Sequence, residues 1–586
     1  LKKNKSIFAT QKQHVSKLPS NKAYDVVVIG AGIGGLVAAS ILSRAGLSVC
    51  VLEKQAIPGG YLMGFQRNRF QFDTAIHWLN QCLPGGMTHT IFESLGTDYP
   101  KATAQRRVKR FIGDDFDYLM TNNPDEFKAL LQAKFPHERK GLERFFNMTK
   151  KIGDGILRSG HVIRTTDTMT FSEKVKNGWK VFKYIMPFFK HLPYTGDNGV
   201  RKGLNRYFKD PKLHALFASE SDMMSCIIPI AWAYVGDFQN PPIGGGQSFA
   251  DWLRHVVESL DNEVCYHSDV QEVLLDGNKA VGVRVKHREE EYQIKSKYVL
   301  AACDVELLYK KMLPTAQVPA ELLKNLENAE MYSSSLTLSV ALDCTAAELG
   351  FNEEMVFISR QDIARDEHMG GDPEKTEIIV LAPSHRDPAM APEGKGSITI
   401  FMPAEIHHHN YWGATRDENG EYIRGEAYQK CKEKIAEMLL QRVGEKMKVA
   451  LRDHVLFYEV ATPITHYRYT GNKNGTMMGA RPGKVNYQAK IAHYKTAFEN
   501  LYLSGHWAEL GGGVPIAVKA GSNAALIVMQ KENPQAFRLY CDYLDGKIDA
   551  SKVRASKDLK HYPDNWERAL TPAELLSIRR QRENNT

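Results

Sequence analysis

An apolar run from Tyr24 to Ile29 predicts a buried strand, and Leu36 to Arg44 carries a helical pattern that stops at Gly46. A second apolar run ends at Glu53, completing a strand, glycine turn, helix, strand unit. Pieces of the same pattern return far downstream. Residues 242–260, PIGGGQSFADWLRHVVESL, lead through glycines into a helix, Glu263 to His267 predicts a strand, and DVQEVLLDGNKAVGVRVK predicts two strands joined around Asp276 and Gly277. Lys297 to Asp304 reads as a buried strand that ends in small residues and an acid. Leu501 to Ser504 predicts a last strand, which feeds a loop with Gly511, Gly512 and Gly513 before Val514 and Pro515 open a helix. Thr571, Pro572 and Glu574 form a capping box, so a terminal helix is expected over about Pro572 to Arg582. The alternation of strands and helices places the chain in the α/β class.

The first unit carries specific chemistry. Gly30, Gly32 and Gly35 form G-x-G-x-x-G, in which the first glycine permits a tight turn, the second admits a pyrophosphate against backbone, and the third lets helix lie close on strand. The helix start adds free N–H groups and a partial positive charge, so a dinucleotide phosphate is expected there. Glu53, 18 residues after Gly35, suits an adenosine ribose and would repel a 2′-phosphate, which argues against NADP. After Glu53 come Gly59 and Gly60, and this paired-glycine extension resembles the FAD-binding signature of glutathione-reductase-like and amine-oxidase-like flavoproteins. At the Gly511 to Gly513 loop, a helix N-terminus would stabilise negative charge on a reduced flavin.

At 586 residues the chain exceeds what one core usually serves, so two interwoven domains are expected. The nucleotide domain is expected from residues 24–80, 241–310 and 480–530. A substrate domain is expected from 81–240 and 311–479, and a helical C-terminal extension over 531–586. The formal charge is +8, but residues 1–22 carry +6 and residues 551–586 carry +3, which leaves 8 − 9 = −1 for the body. Such a body has no field for gripping nucleic acid, and no nucleic-acid partner is expected. Residues 1–23 form a basic tail. No apolar stretch approaches the ~20 residues of a membrane span. The chain opens on Leu, so a removed targeting segment stays open, and an intracellular protein peripheral to a membrane is expected.

Eight cysteines never form C-x-x-C, which argues against zinc ribbons, iron–sulfur sites and thioredoxin-like disulfides. His407, His408 and His409, read as an extended segment, would point to opposite faces, so no metal site is expected. Within residues 174–194, KVKNGWKVFKYIMPFFKHLPY, lysines interleave with Trp179, Phe182, Tyr184, Phe188 and Phe189. This suits either an amphipathic element on a membrane or a cover over a greasy pocket. No second G-x-G-x-x-G follows a strand, so an external electron donor or acceptor is expected.

With these elements in order, the chain resembles the phytoene desaturase, carotenoid isomerase and retinol saturase family of FAD-dependent oxidoreductases. The resemblance rests on residues 26–60, FQFDTAIHWL at 70–79, IGGGQSFADWL at 243–253, ATPITHYRYTGNKNGTMMG at 461–479 and SGHWAELGGGVPIAVKAG at 504–521. It implies a glutathione-reductase-like Rossmann FAD-binding domain interwoven with an α+β substrate domain. FAD contacts are implied at Gly30, Gly32, Ile33, Gly34, Gly35, Glu53, Lys54, Gly59, Gly60, Val270, Gly505, Gly512, Gly513, Val514 and Pro515. Two departures stand out: His506 replaces an Asp common in the family, and Ala75 replaces the Gly of FDxG. The implied substrate is a lipophilic polyene, either a carotenoid, a retinoid or another unsaturated lipid. The implied reaction is desaturation or saturation through flavin N5, with redox-neutral cis–trans isomerisation as the alternative and an amine-oxidase-like reaction or turnover-free binding as weaker ones.

His77, directly after FDTAI, is a candidate proton-handling group because imidazole takes and gives protons near neutral pH. Packing beside Trp78 is the plainer reading. Glu509 is the second candidate, or else a ligand for loop N–H groups. Tyr467 and Tyr469 either line a polyene tunnel or form one face of a core strand, and His466 has no evident partner.

Overall fold

In the computed structural model, residues 22–584 are described except positions 161, 361 and 419; nearly all of the basic tail expected at 1–23 lies outside the described residues. The nucleotide unit runs β1 (Tyr24–Ile29), α1 (Ile33–Arg44) and β2 (Val49–Leu52). It resumes with α2 (Gln247–Glu258), β3 (Glu263–Cys265), β4 (Ser268–Asp276), β5 (Lys279–His287) and β6 (Glu290–Ala301). It closes with β7 (Leu501–Leu503) and α3 (Gly513–Glu532). Seven strands form one sheet in the order β3-β2-β1-β6-β5-β4, with β7 on the C-terminal half of β6. The long β6 joins two geometries: Glu290 to Lys295 pair antiparallel with β5, whereas Ser296 to Ala301 pair parallel with β1. Val26, Val27 and Val28 are wholly buried, as expected of a parallel strand covered on both faces.

Helices α1 and α3 cross where both lack side chains. A Cβ on Gly34 would stand 2.4 Å from the Ser504 carbonyl oxygen, and one on Gly521 would stand 2.2 Å from that of Gly34. Segments nearly 500 residues apart are thereby packed backbone to backbone.

A second seven-stranded sheet follows the order 455–461, 334–342, 396–404, 378–381, 355–358, 107–112, 117–121. Its own apolar core includes Leu336, Val340, Ile400 and Trp412. A third core, rich in Phe127, Phe145 and Phe146, lies among helices between residues 124 and 238. The fold is therefore the expected α/β Rossmann type joined to a mixed sheet and helices. The C-terminal extension folds back: the Lys560 N–H donates to the Arg44 carbonyl (2.7 Å), and the Tyr562 hydroxyl and Trp566 N–H donate to Asp98 (both 2.7 Å). Its last helix spans Pro572–Asn584, opened by the Thr571 and Glu574 box.

Three local expectations are corrected. Helix α1 starts at Ile33, three residues before Leu36, because the turn glycines themselves take helical geometry. Tyr467 and Tyr469 lie on a helix, Pro463–Thr470, and not on a strand; Thr462 caps it, Pro463 opens it and Gly471 (φ 72) ends it. His407 to His409 are not extended. The backbone turns left-handed at His409, Asn410 and Tyr411, which tucks Trp412 wholly into the core with its indole N–H on the Glu405 carbonyl (3.0 Å).

Residues 171–189 form a helix with Phe171, Val175, Trp179, Phe182, Met186 and Phe189 facing outward, while Phe188 packs against the third core. Among the described residues, no helix is long and apolar enough to cross a membrane.

Replacing Gly521 by Ala should cost about 3 kcal/mol, near the upper end of overpacking effects. Gly178→Ala, where an added Cβ meets nothing within 4 Å in a helix, should gain up to about 1 kcal/mol. Urea unfolding of the two variants checks both signs.

Candidate functional site: a two-ended dinucleotide cleft

The first end is built from backbone. The Gly30 N–H donates to the Leu52 carbonyl (2.8 Å), the Gly59 N–H to the Ala31 carbonyl (2.8 Å), and Gly32 bridges to Gly59. Gly60 closes on the same point, since its Cβ would stand 3.4 Å from the Gly32 Cα. A Cβ on Gly35 would meet the Gly30 carbonyl oxygen at 2.2 Å, so this glycine serves strand–helix contact. Gly32 differs: a Cβ there meets nothing within 4 Å, and no side chain caps α1. The N–H groups of the first helical turn, from Ile33 and Gly34 onward, face that open space.

Glu53 follows β2 directly and is only 8% exposed. Its carboxylate accepts the Ala31 and Gln55 N–H groups, each at 2.8 Å. Burial pushes its pKa up, and these two N–H groups pull it back. The Ser268 N–H donates to the Glu53 carbonyl (2.8 Å), which sets the start of β4, and with it the buried Val270, beside Glu53. Lys54 reaches toward Gly471; a Cβ there would lie 3.5 Å from its amine.

The second end forms around α3. Gly505 packs against Ala302, and Gly511, Gly512 and Gly513 all have positive φ (123°, 60° and 78°), a path that side chains would strain. No side chain caps α3, whose first turn holds Val514 and Pro515. The stretch Thr476 to Ala480 lies over this loop: a Cβ on Gly512 would stand 2.5 Å from the Met478 Cβ, and one on Gly479 would stand 2.8 Å from His506 Nε2. Tyr332 spans both, its N–H donating to the Gly479 carbonyl (2.9 Å) and its hydroxyl to that of Gly511 (3.2 Å). His506 Nε2 and Trp507 Nε1 are buried without a hydrogen-bond partner. Burial pushes the His506 pKa down to about 4. Two uncapped helix starts, a buried acid anchored after β2 and the unpartnered ring nitrogens of His506 and Trp507 fit an extended dinucleotide.

The proton-handling candidates lie in different neighbourhoods. Glu509 accepts the Tyr494 hydroxyl (2.5 Å) and pairs with Lys519 of α3 (2.8 Å), and not with loop N–H groups. Burial, then Glu509, pushes the Tyr494 pKa well up. His77 is 5% exposed, with Phe401 of the second sheet nearly parallel to it at 6.0 Å. Its Nδ1 lacks a hydrogen-bond partner and lies 3.9 Å from Asp73 Oδ2, while Asp73 Oδ1 accepts the Gly246 N–H (2.9 Å). His77 and Asp73 line a small cavity with Pro242, Met390 and Arg386.

Several supports were invisible in the sequence. Asp304, at the end of β6, accepts the N–H groups of Glu306 (2.8 Å), Leu307 (3.2 Å) and Lys473 (3.1 Å), and burial pushes its pKa up to about 6. His466 does have a partner, with Nε2 3.3 Å from the Ser335 hydroxyl, and burial pushes its pKa down to about 4. The downstream family stretch at 461–479 thus acts as a bracket between the two sheets. The TP…G spacing around 462–471 was the signal for its helix.

Gly32→Glu should fold with unchanged stability yet lose dinucleotide retention, because the new carboxylate occupies the phosphate position; absorbance of retained cofactor together with a thermal melt checks this. His466 and His506 stay neutral in the fold down to about pH 4 and protonate in the unfolded chain below about 6.5. Stability should therefore fall as pH drops from 6.5 toward 4. His466→Gln should flatten that slope by about one proton, read from urea midpoints against pH.

A family profile described as an NAD(P)-binding Rossmann-like domain matches residues 28–94. The chain is 27% identical to prolycopene isomerase 1, chloroplastic, of an Oncidium hybrid cultivar over 516 residues, 85% of this chain and 82% of that one. It is 24% identical to the all-trans-retinol 13,14-reductase of Danio rerio over 571 residues, 89% of each chain. It is 23% identical to the 4,4'-diapolycopene oxygenase of Methylomonas sp over 525 residues, 86% of this chain and 97% of that one. Among solved structures, an oxidoreductase from Methanosarcina mazei matches with TM-score 0.53 and 17% identity over 86% of this chain and 100% of its own. Putrescine oxidase bound to putrescine matches with TM-score 0.55 and 12% identity over 87% and 100%. These two likenesses concern the fold. The sequence likeness to these relatives spans most of the chain and fits the phytoene desaturase, carotenoid isomerase and retinol saturase family, and the chain is an enzyme of the flavoenzyme kind.

Proposed function

We propose that the chain holds FAD in this cleft and acts on C–C or C=C bonds of a lipophilic polyene, by desaturation or saturation. The observation that carries the reading is that two uncapped helices, α1 and α3, cross backbone to backbone at Gly34 and Gly521, with the start of α1 against the Ser504–Gly505 turn. In this reading Gly32 to Gly35 bind the pyrophosphate, Glu53 accepts ribose hydroxyls, and the Gly512 to Pro515 turn stabilises charge at the ring end. Bound FAD supplies a hydride acceptor or donor at its N5 position. The buried second sheet and Trp507 exclude water. His77, set between Asp73 and Phe401, moves a proton at Nδ1, and Glu509 does so through the Tyr494 hydroxyl.

A redox-neutral isomerase is the second reading, favoured by the relatives named prolycopene isomerase. Isomerisation asks little of His77 or Glu509. Anaerobic mixing of the FAD-loaded protein with a polyene separates the two. Net change in flavin oxidation state supports hydride transfer, whereas an altered polyene spectrum at constant flavin state supports isomerisation. Under hydride transfer, His77→Gln should slow the single turnover by about 10²-fold; an unchanged rate removes His77 from the reaction.

A further inference from the structure

We propose that the helix Phe171–Phe189 is a preformed docking surface for an anionic lipid bilayer. Seven of the seventeen exposed large apolar side chains among the described residues fall within residues 171–192, so they form a patch and not a scatter. Phe171, Val175, Trp179, Phe182, Met186 and Phe189 recur at three- and four-residue spacing, which gathers them on one side of the helix in a stripe roughly 80–100° wide. Trp179 is 71% exposed and Phe171 82% exposed. Trp179 and Phe182 stack on each other at 5.7 Å.

Charge decides what covers the stripe. The segment carries Lys174, Lys176, Lys180, Lys183 and Lys190 against one acid, Glu173. The same helical spacing puts Lys176, Lys183 and Lys190 along one flank of the stripe and Lys174 along the other. Glu173 is turned inward: it caps the helix with Thr170 and pairs with Arg164 (3.3 Å), so it does not offset the lysines. Apolar rings between ammonium-tipped stems that reach back to headgroup level match a bilayer carrying negative lipids. A protein partner or a second copy would need a complementary acidic groove, and the stripe's own lysines repel a second copy.

The surface is ordered before any lipid arrives. The opposite face packs on the body through half-buried Asn177, Val181, Tyr184 and Phe188, with the Tyr184 carbonyl oxygen 2.7 Å from where a Gly155 Cβ would stand. Arg164 ties the helix start to Asp545 as well as Glu173. Just before it, the Thr165 N–H donates to Asn523 of α3 (2.7 Å). The helix is thus rooted on the element that forms the second end of the cleft, and the docking claim stands whether or not the proposed reaction does.

The test is co-sedimentation of the full chain with phosphatidylcholine vesicles and with phosphatidylcholine–phosphatidylserine vesicles, with light scattering in the absence of lipid. Wild type should pellet with the anionic vesicles. W179E/F182E should bind at least tenfold more weakly with an unchanged thermal melt, since both positions are exposed. K176Q/K180Q/K183Q should lose roughly a hundredfold on anionic vesicles alone. Absence of pelleting, or wild-type pelleting by both variants, overturns the proposal. A lipid-independent dimer that W179E/F182E converts to monomer also overturns it, and assigns the face to a second copy.

Discussion

The structure depends on the contact of two helix backbones. Gly34 of α1 and Gly521 of α3 present no side chains where they cross, and each would collide with a carbonyl oxygen if it carried one. The helices meet there with β7 completing the sheet beside β6, and the start of α1 lies against the Ser504–Gly505 turn that follows β7. Neither glycine-marked segment forms the cleft alone. The first supplies the uncapped start of α1, and the second the glycine path and uncapped start of α3.

The cleft is built more from backbone than from side chains. Gly32, Gly59 and the first turn of α1 offer N–H groups whatever the neighbouring residues are. The side chains that matter are those taken out of water. Glu53 stays buried because two N–H groups satisfy it, and Asp304 because three do. His506 contributes a buried imidazole whose Nε2 has no partner in the protein.

The Rossmann unit was legible in the sequence because its signals are local: period, turn glycines and the acid after β2. The pairing of β6 with both β1 and β5 was not, since one twelve-residue strand serving two geometries leaves no local mark. Tyr467 and Tyr469 misled because alternation over three residues fits a strand and one side of a short helix alike; the Pro463 start and Gly471 stop were the better evidence. Asp304, Tyr494 and the His466–Ser335 contact were illegible for another reason. Each gains its meaning from a partner over 10 residues away, and for Lys473 and Ser335 the separation exceeds 100. The outward face of residues 171–189 was half legible: its amphipathic pattern is plain, but only packing shows which side meets the body.

The helix crossing also bears on how the chain is made. Gly34 leaves the ribosome 487 residues before Gly521, which at synthesis rates of 5–20 residues per second is a delay of roughly 25–100 s. Through that interval β1 and α1 lack both α3 and the Lys560 segment that later closes on Arg44. A nascent chain thus carries one of its most apolar segments unfinished until α3 and the Lys560 segment have been made.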